Sequence, residues 1–170
     1  EPELVLAAHR MAFHQKPSLD IFVNLMNLAG DQTAELKQEC FSILNQPERF
    51  VEPRQKIDIF LHERCFDLAM DMVNQLRQNI DDQIVIQVIK AVQKTHPEWV
   101  AEIAQQHADR IMNNSLTRDY PDTVTWLKYM KSAYTRLDAM KKWEKYQASV
   151  VKQHGRKYKL MGFLRSANLV

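Results

Sequence analysis

The sequence predicts an all-α protein, and three observations support that prediction. With 170 residues, 45% of them hydrophobic, the chain can bury a sizeable core without metals or disulfides. Only 3 glycines and 6 prolines are present, so the tight turns of an all-β fold lack the residues that form them. Apolar residues recur every three or four positions along most of the chain. We therefore expect about nine or ten antiparallel helices, stacked as irregular helical hairpins in a short, tetratricopeptide-like α-solenoid.

Boundary signals define the first three helices. The first runs from Pro2 to about His14. In "PSLDIFVNLMNLAG", Ser18 can cap the free amides of a second helix, and Gly30 suits a left-handed stop at its end. We expect this helix to pack back on the first. A third helix covers "DQTAELKQECFSILN" and ends before Pro47.

The middle of the chain leaves one alternative open and resolves another. The pattern over residues 53–76 predicts either one bent helix or two consecutive helices. The segment "DDQIVIQVIKAVQ" is rich in β-branched residues and could form a strand. Its apolar positions Val85, Val88, Ile89 and Val92 follow helical spacing, however, and no other segment offers a partner strand. We expect a helix here.

The C-terminal half continues in helices. "THPE" is typical of a helix start, with Thr95 and Glu98 as a capping box. The stretch "YPDTVTWLKYMKSAY" then spaces large apolar residues along about four turns. Its expected inward stripe consists of Tyr120, Val124, Leu127 and Tyr134. Asp138 can cap the next helix, which ends at Gly155, and a short last helix covers residues 158–167.

No set of residues predicts a catalytic or metal site. His62 and Cys65 have one metal-like spacing, but no second Cys/His pair is placed to complete a zinc site. Asp67 and Asp71 lie one helical turn apart, where a solvated, salt-bridged face is the simpler interpretation. Cys40 and Cys65 are best interpreted as free buried thiols in a reducing compartment. We expect no enzymatic activity, no cofactor and no metal.

The net charge of +2 conceals an uneven distribution. Residues 1–144 carry 17 basic and 21 acidic groups, a net charge of −4. No acidic residue follows Glu144, but six basic residues do: Lys145, Lys152, Arg156, Lys157, Lys159 and Arg165. In the simpler interpretation, these residues belong to a charged surface helix. In the more specific one, they bind nucleic acid beside Tyr158. Its candidate contacts are Lys152, Arg156, Lys157 and Lys159. A continuous positive surface joining them to Lys128, Lys131, Lys141 and Lys142 would favour it.

The aromatic residues after position 119 suggest a second surface. Trp126 and Tyr129 point away from the expected inward stripe of their helix. They either pack against a neighbouring helix or line an exposed groove. On the second interpretation, Trp126 and Tyr129 form a face on which a protein partner docks.

Two stretches resemble the helical C-terminal regions of SWIM zinc finger proteins. "FHQKPSLDIFVNLMNLAGD" is similar to the family pattern F-x3-P-S-L-x2-Y-x2-L, with Phe22 in place of the Tyr. The segment from Tyr120 to Leu164 is similar to the end of those regions, where a later Trp-x2-Tyr and a His-x-Arg-Lys-x2-Leu segment recur. The matching positions are Phe13, Pro17, Ser18, Leu19, Leu25, Tyr120, Val124, Leu127, Tyr134, Trp143, Tyr146, His154, Arg156, Lys157 and Leu164. The Cys-x-Cys and Cys-x-His pairs that name the family are absent, so its zinc site is not implied.

These interpretations combine into one set of expectations. The resemblance implies an accessory, tetratricopeptide-like helical domain attached downstream of a SWIM module. We expect residues 1–170 to form a single helical-repeat domain, a fragment of a longer protein, monomeric and cytoplasmic, with no membrane span. The leading functional hypothesis is a non-enzymatic scaffold for an unknown protein partner. The alternative is nucleic-acid binding through the basic segment 145–165.

Overall fold

The all-α prediction is confirmed by the computed structural model, which describes residues 2–114 and 117–170. Within these residues the chain forms ten α-helices and no strand. In chain order they are α1 (Pro2–Gln15), α2 (Leu19–Leu28), α3 (Thr33–Leu44), α4 (Pro53–His62), α5 (Phe66–Leu76), α6 (Asp82–Val92), α7 (Pro97–Asn114), α8 (Tyr120–Arg136), α9 (Met140–His154) and α10 (Tyr158–Ser166). Among the described helices, none is both long enough and apolar enough to cross a bilayer.

The chain divides into two compact units. Unit 1 comprises residues 1–91 and contains α1 to α5 and most of α6. Unit 2 comprises residues 92–170 and contains α7 to α10. The single domain expected over the whole chain stays a prediction.

A row of aromatic rings forms the centre of unit 1. Phe22 of α2 lies 6.1 Å from Phe13 of α1 and 6.5 Å from Phe41 of α3, measured between ring centroids. Phe41 in turn lies 5.7 Å from Phe60 of α4. Such tilted and edge-on ring pairs add to the stabilisation from the buried area itself. The row therefore holds the first four helices on one core.

The predicted ends of α2 are confirmed. The Ser18 side chain accepts a hydrogen bond from the backbone N–H of Ile21 at 3.4 Å. Gln55 of α4 accepts a second one, from the N–H of Leu19 at 3.3 Å. After the helix, Gly30 has a φ of +51°, a conformation that glycine adopts without a steric penalty. The free N–H groups at the start of α2 thus find hydrogen-bond acceptors partly in the Ser18 cap and partly in Gln55 of α4.

The two ambiguous segments of unit 1 are settled as helices. Residues 53–76 form two helices, α4 and α5, because Arg64 between them has a φ of +57° and breaks the helical path. Residues 82–92 form α6, not a strand. Its apolar stripe Val85, Val88, Ile89 and Val92 is fully buried. Burial of one helical face thus outweighs the β preference of its branched residues.

Helix α8 lies at the centre of unit 2, packed against α7, α9 and α10. Its buried face consists of Tyr120, Thr123, Trp126, Leu127, Met130 and Ala133. The predicted stripe was right for Tyr120 and Leu127 but wrong for Val124 and Tyr134, which are half-buried. Apolar residues occur on several sides of α8, so the spacing alone does not define which side faces α7.

Two side chains of α9 form hydrogen bonds to other parts of unit 2. The hydroxyl of Tyr146 on α9 donates to Asp109 on α7 at 2.7 Å. The side chain of Gln147 donates to the carbonyl of Leu169 at 2.9 Å and so holds the end of the chain against α9. These bonds satisfy polar groups on the inner side of α9 that would otherwise be buried without partners.

Two predicted helix caps are wrong. Asp138 has a φ of +51° and lies before Ala139, which occupies the N-cap position of α9. Helix α7 begins at Pro97, and the Thr95 hydroxyl donates to the carbonyl of Val92 at 3.2 Å. Thr95 therefore closes the preceding helix instead of capping α7.

Candidate functional site

Trp126 does not lie on a free surface, so the docking face predicted around it is wrong. Its side chain is only 1% exposed. The indole stacks on the ring of His107 from α7, with the centroids 4.3 Å apart and the planes at 27°. Tyr129 is half-buried. Trp126 consequently belongs to the α7–α8 core.

The two units differ in charge. Unit 1 contains 9 lysines and arginines and 14 aspartates and glutamates, a net charge of −5. Unit 2 contains 14 basic and 7 acidic residues, a net charge of +7. The excess in unit 2 is large enough to attract anions over distances of about a Debye length, ~8 Å at physiological salt.

Helix α9 places lysines directly opposite its buried side. Trp143 and Val150 face the core, whereas Lys141, Lys145 and Lys152 are exposed. The three lysines follow the spacing i, i+4, i+11 and therefore share one stripe of the helix. At a rise of 1.5 Å per residue the stripe is about 16 Å long. Glu144 is the single acidic residue of α9.

The turn between α9 and α10 contains two adjacent basic residues, Arg156 and Lys157, that have different roles. Arg156 is exposed, but Lys157 is half-buried and its ammonium donates to the carbonyl of Met112 near the end of α7. A cation at the carbonyl end of a helix is favourably placed in the helix dipole. Lys157 thus anchors the turn to α7, which the sequence pattern could not reveal because Met112 lies 45 residues earlier.

A glycine is required at this turn. A Cβ built at Gly155 would lie 2.6 Å from the carbonyl oxygen of Val151, which is backbone and cannot move away cheaply. The turn can therefore pass close to the last turn of α9 only with glycine at this position.

Helix α10 adds two cations and one aromatic ring. Lys159 and Arg165 are exposed, whereas Leu160 and Leu164 are buried. Tyr158, the first residue of the helix, is 83% exposed. We define the basic face as the exposed cations of α9, the turn and α10: Lys141, Lys145, Lys152, Arg156, Lys159 and Arg165. Among the described residues, the side chains of these six form no ion pair and no hydrogen bond.

Of the other lysines considered for a continuous positive surface, two are exposed and one is half-buried. Lys128 and Lys142 are exposed. Lys131 is half-buried, donates to the carbonyl of Asn168 at 3.2 Å and lies 6.0 Å from the ring centroid of Trp143. It therefore holds the last residues of the chain in place, as Lys157 holds the turn.

Two cations of unit 1, Arg10 and Lys37, are paired with carboxylates. The Arg10 guanidinium pairs with Glu39 at 2.7 Å, and Lys37 pairs with Glu63 at 2.5 Å. Burial alone would raise the pKa of Glu39, but the hydrogen bonds from Arg10 and His14 outweigh it and lower that pKa. These basic groups are matched to carboxylates within the fold, unlike those of the basic face.

The residues considered for catalysis or metal binding do not converge. Burial raises the pKa of the Cys40 thiol to about 12, which leaves little thiolate at neutral pH. Burial also raises the pKa of Cys65, and both cysteines are free thiols. Asp67 and Asp71 are exposed on α5. Within residues 2–114 and 117–170, no group of three His, Cys, Asp or Glu side chains is arranged to hold a metal ion.

Comparison with known proteins identifies no relative of this chain: no family model, no curated protein and no solved structure matches it.

Proposed function

We propose that this chain is a non-enzymatic helical binding module and that unit 2 binds nucleic acid through its basic face. The observation that carries the proposal is the arrangement of six exposed cations without acidic partners on α9, the following turn and α10. An exposed tyrosine lies among them. Cations beside an aromatic ring are the combination that binds a phosphate backbone and its bases.

The dimensions of the α9 stripe suit a nucleic-acid strand. Adjacent nucleotides of a B-form strand rise 3.4 Å, so a 16 Å stripe extends along about five of them. Lysine side chains are long and flexible, which lets each ammonium adjust to a phosphate. Binding through such contacts would depend on charge and be largely independent of sequence.

A titration by fluorescence anisotropy tests the proposal. Labelled DNA and RNA oligonucleotides, single- and double-stranded, would be mixed with the native chain at 50 and 200 mM NaCl. We expect binding at low salt that weakens steeply at high salt, because released counterions drive it. The triple variant Lys145→Gln, Lys152→Gln, Arg156→Gln should bind about tenfold more weakly or worse.

A matched control separates the basic face from net charge. The variant Lys16→Gln, Arg54→Gln, Lys94→Gln removes the same three charges at exposed positions outside that face. It should bind as the native chain does. Equal losses in the two variants, or no binding by the native chain at 50 mM NaCl, would refute the proposal.

A scaffold that binds a protein partner is the second candidate function. The surface that favours it lies on α1 and not around Trp126. Leu4 and Met11 of α1 are 65% and 63% exposed and share one side of the helix with Ala7 and Ala8. An exposed apolar stripe of this kind suits the apolar face of a partner protein, including an attached SWIM module. A partner that is captured from nuclease-treated extract by the native chain and lost with Leu4→Glu, Met11→Glu would support this candidate.

A further inference from the structure

Tyr158 is exposed without a structural reason within its own fold. Its side chain is 83% exposed, and it makes no hydrogen bond or ring contact with any described residue. A ring this exposed contributes little to the core of unit 2. The residues that hold α10 in place are instead Leu160, Met161 and Leu164, which are buried.

Gly162 leaves open the space one turn after Tyr158 on α10. It lies one turn after Tyr158 on the same side of α10, and nothing lies within 4 Å of where its Cβ would be. Helical side chains lean toward the N-terminus, so any larger residue at 162 would lean toward Tyr158. Glycine inside an exposed helix is also unfavourable by ~1 kcal/mol relative to alanine. Helix stability therefore does not explain the glycine, whereas access to the ring does.

Three exposed cations lie before Tyr158 or on the same helix. Arg156 precedes it by two residues, Lys159 follows it directly, and Arg165 lies two turns along the same side of α10. A ligand that uses the ring and these charges together must offer a flat, unpaired π-surface flanked by anionic groups. Bases in a duplex are stacked on one another and unavailable, whereas bases in a single strand are free to stack.

We propose that Tyr158 is a stacking platform for an unpaired base, and that the ligand of the basic face is single-stranded nucleic acid. This inference rests on the nucleic-acid binding proposed above. Arg156, Lys159 and Arg165 neutralise the phosphates on either side of the stacked base. Duplexes bind the same cations without the ring and therefore bind more weakly.

The test compares strands with and without bases. The probes are labelled oligo-dT, oligo-rU, a duplex of equal length and an abasic deoxyribose-phosphate strand, all at 100 mM NaCl. Tyr158→Ala should weaken binding of oligo-dT or oligo-rU by about 5- to 150-fold, the range expected for losing one stacked base. The same variant should leave the affinities for the abasic strand and the duplex unchanged. The dT and rU arms show whether DNA, RNA or both are accepted.

Two further variants complete the test. Tyr158→Trp should retain binding because it offers a larger ring. Gly162→Leu should weaken the binding of single strands, while the melting temperature of this variant does not fall.

If Tyr158→Ala binds oligo-dT and oligo-rU as tightly as the native chain, the stacking inference is overturned, while charge-dependent binding still supports the proposed function. If the native chain binds none of the probes even at 50 mM NaCl, both proposals fail together.

Discussion

Replacing Trp126 with alanine should destabilise unit 2 strongly. The indole is almost completely buried and stacks on His107 at 4.3 Å, so the substitution removes a large buried area and leaves a cavity between α7 and α8. Substitutions of buried Phe or Trp by Ala cost about 3–5 kcal/mol. We expect a loss in that range, since α8 packs on three other helices of the unit and cannot easily move to fill the space.

Urea unfolding followed by far-UV circular dichroism measures this loss without depending on tryptophan emission. Tyr158→Ala is the matched control, because it removes an exposed aromatic side chain from the same unit. The control should change the free energy of unfolding by less than about 0.5 kcal/mol. If Trp126→Ala unfolds at the same urea concentration as the native chain, the assignment of Trp126 to the core is wrong.

Three other substitutions test contacts inside unit 2. Thr123→Val should raise the free energy of unfolding by about 1 kcal/mol in urea titrations, because the buried Thr123 hydroxyl has no hydrogen-bond partner among the described residues. Lys157→Met should lower it by about 1.5 kcal/mol through loss of the bond to the Met112 carbonyl, whereas Lys159→Met on the exposed surface should have little effect. Burial, and then the charge of Lys157, lowers the pKa of His154 below its ordinary value of 6.5. The unfolded chain therefore binds the proton first, so stability should fall as pH drops below about 6.5, and less so in His154→Gln. Urea midpoints at pH 7.5 and 5.5 for both chains measure that difference, and equal pH dependence in the two would contradict it.

The all-α class, the ends of α2 and the helical state of α6 could be predicted from the sequence because each depends on local signals. A cap at Ser18, a left-handed glycine at 30 and a 3.6-residue period in α6 are properties of short segments. The buried side of α8 depends instead on which of its apolar residues meet α7. Trp126 was therefore misplaced, although the helix that contains it was predicted correctly.

The same distinction applies to the candidate site. The basic character of the last 26 residues is evident from composition, so the region was predictable. The separate roles of its cations were not, because Lys157 binds a carbonyl of α7 and Arg156 does not. The additional contribution of Lys141 and Lys145 depends on the side of α9 that faces solvent. A glycine inside the predicted last helix is the sequence signal that could have singled out Gly162.

The salt dependence of single-strand binding reports how many cations of the basic face contact phosphates. Each neutralised phosphate contributes about −0.7 to the slope of log K against log salt concentration for single strands, so the six cations of the basic face predict a slope of about −4. Neutralising Lys145, Lys152 and Arg156 should reduce its magnitude by about 2, while neutralising Lys16, Arg54 and Lys94 should leave it unchanged. A slope near zero for the native chain, or the same slope in all three proteins, would contradict nucleic-acid binding through this face.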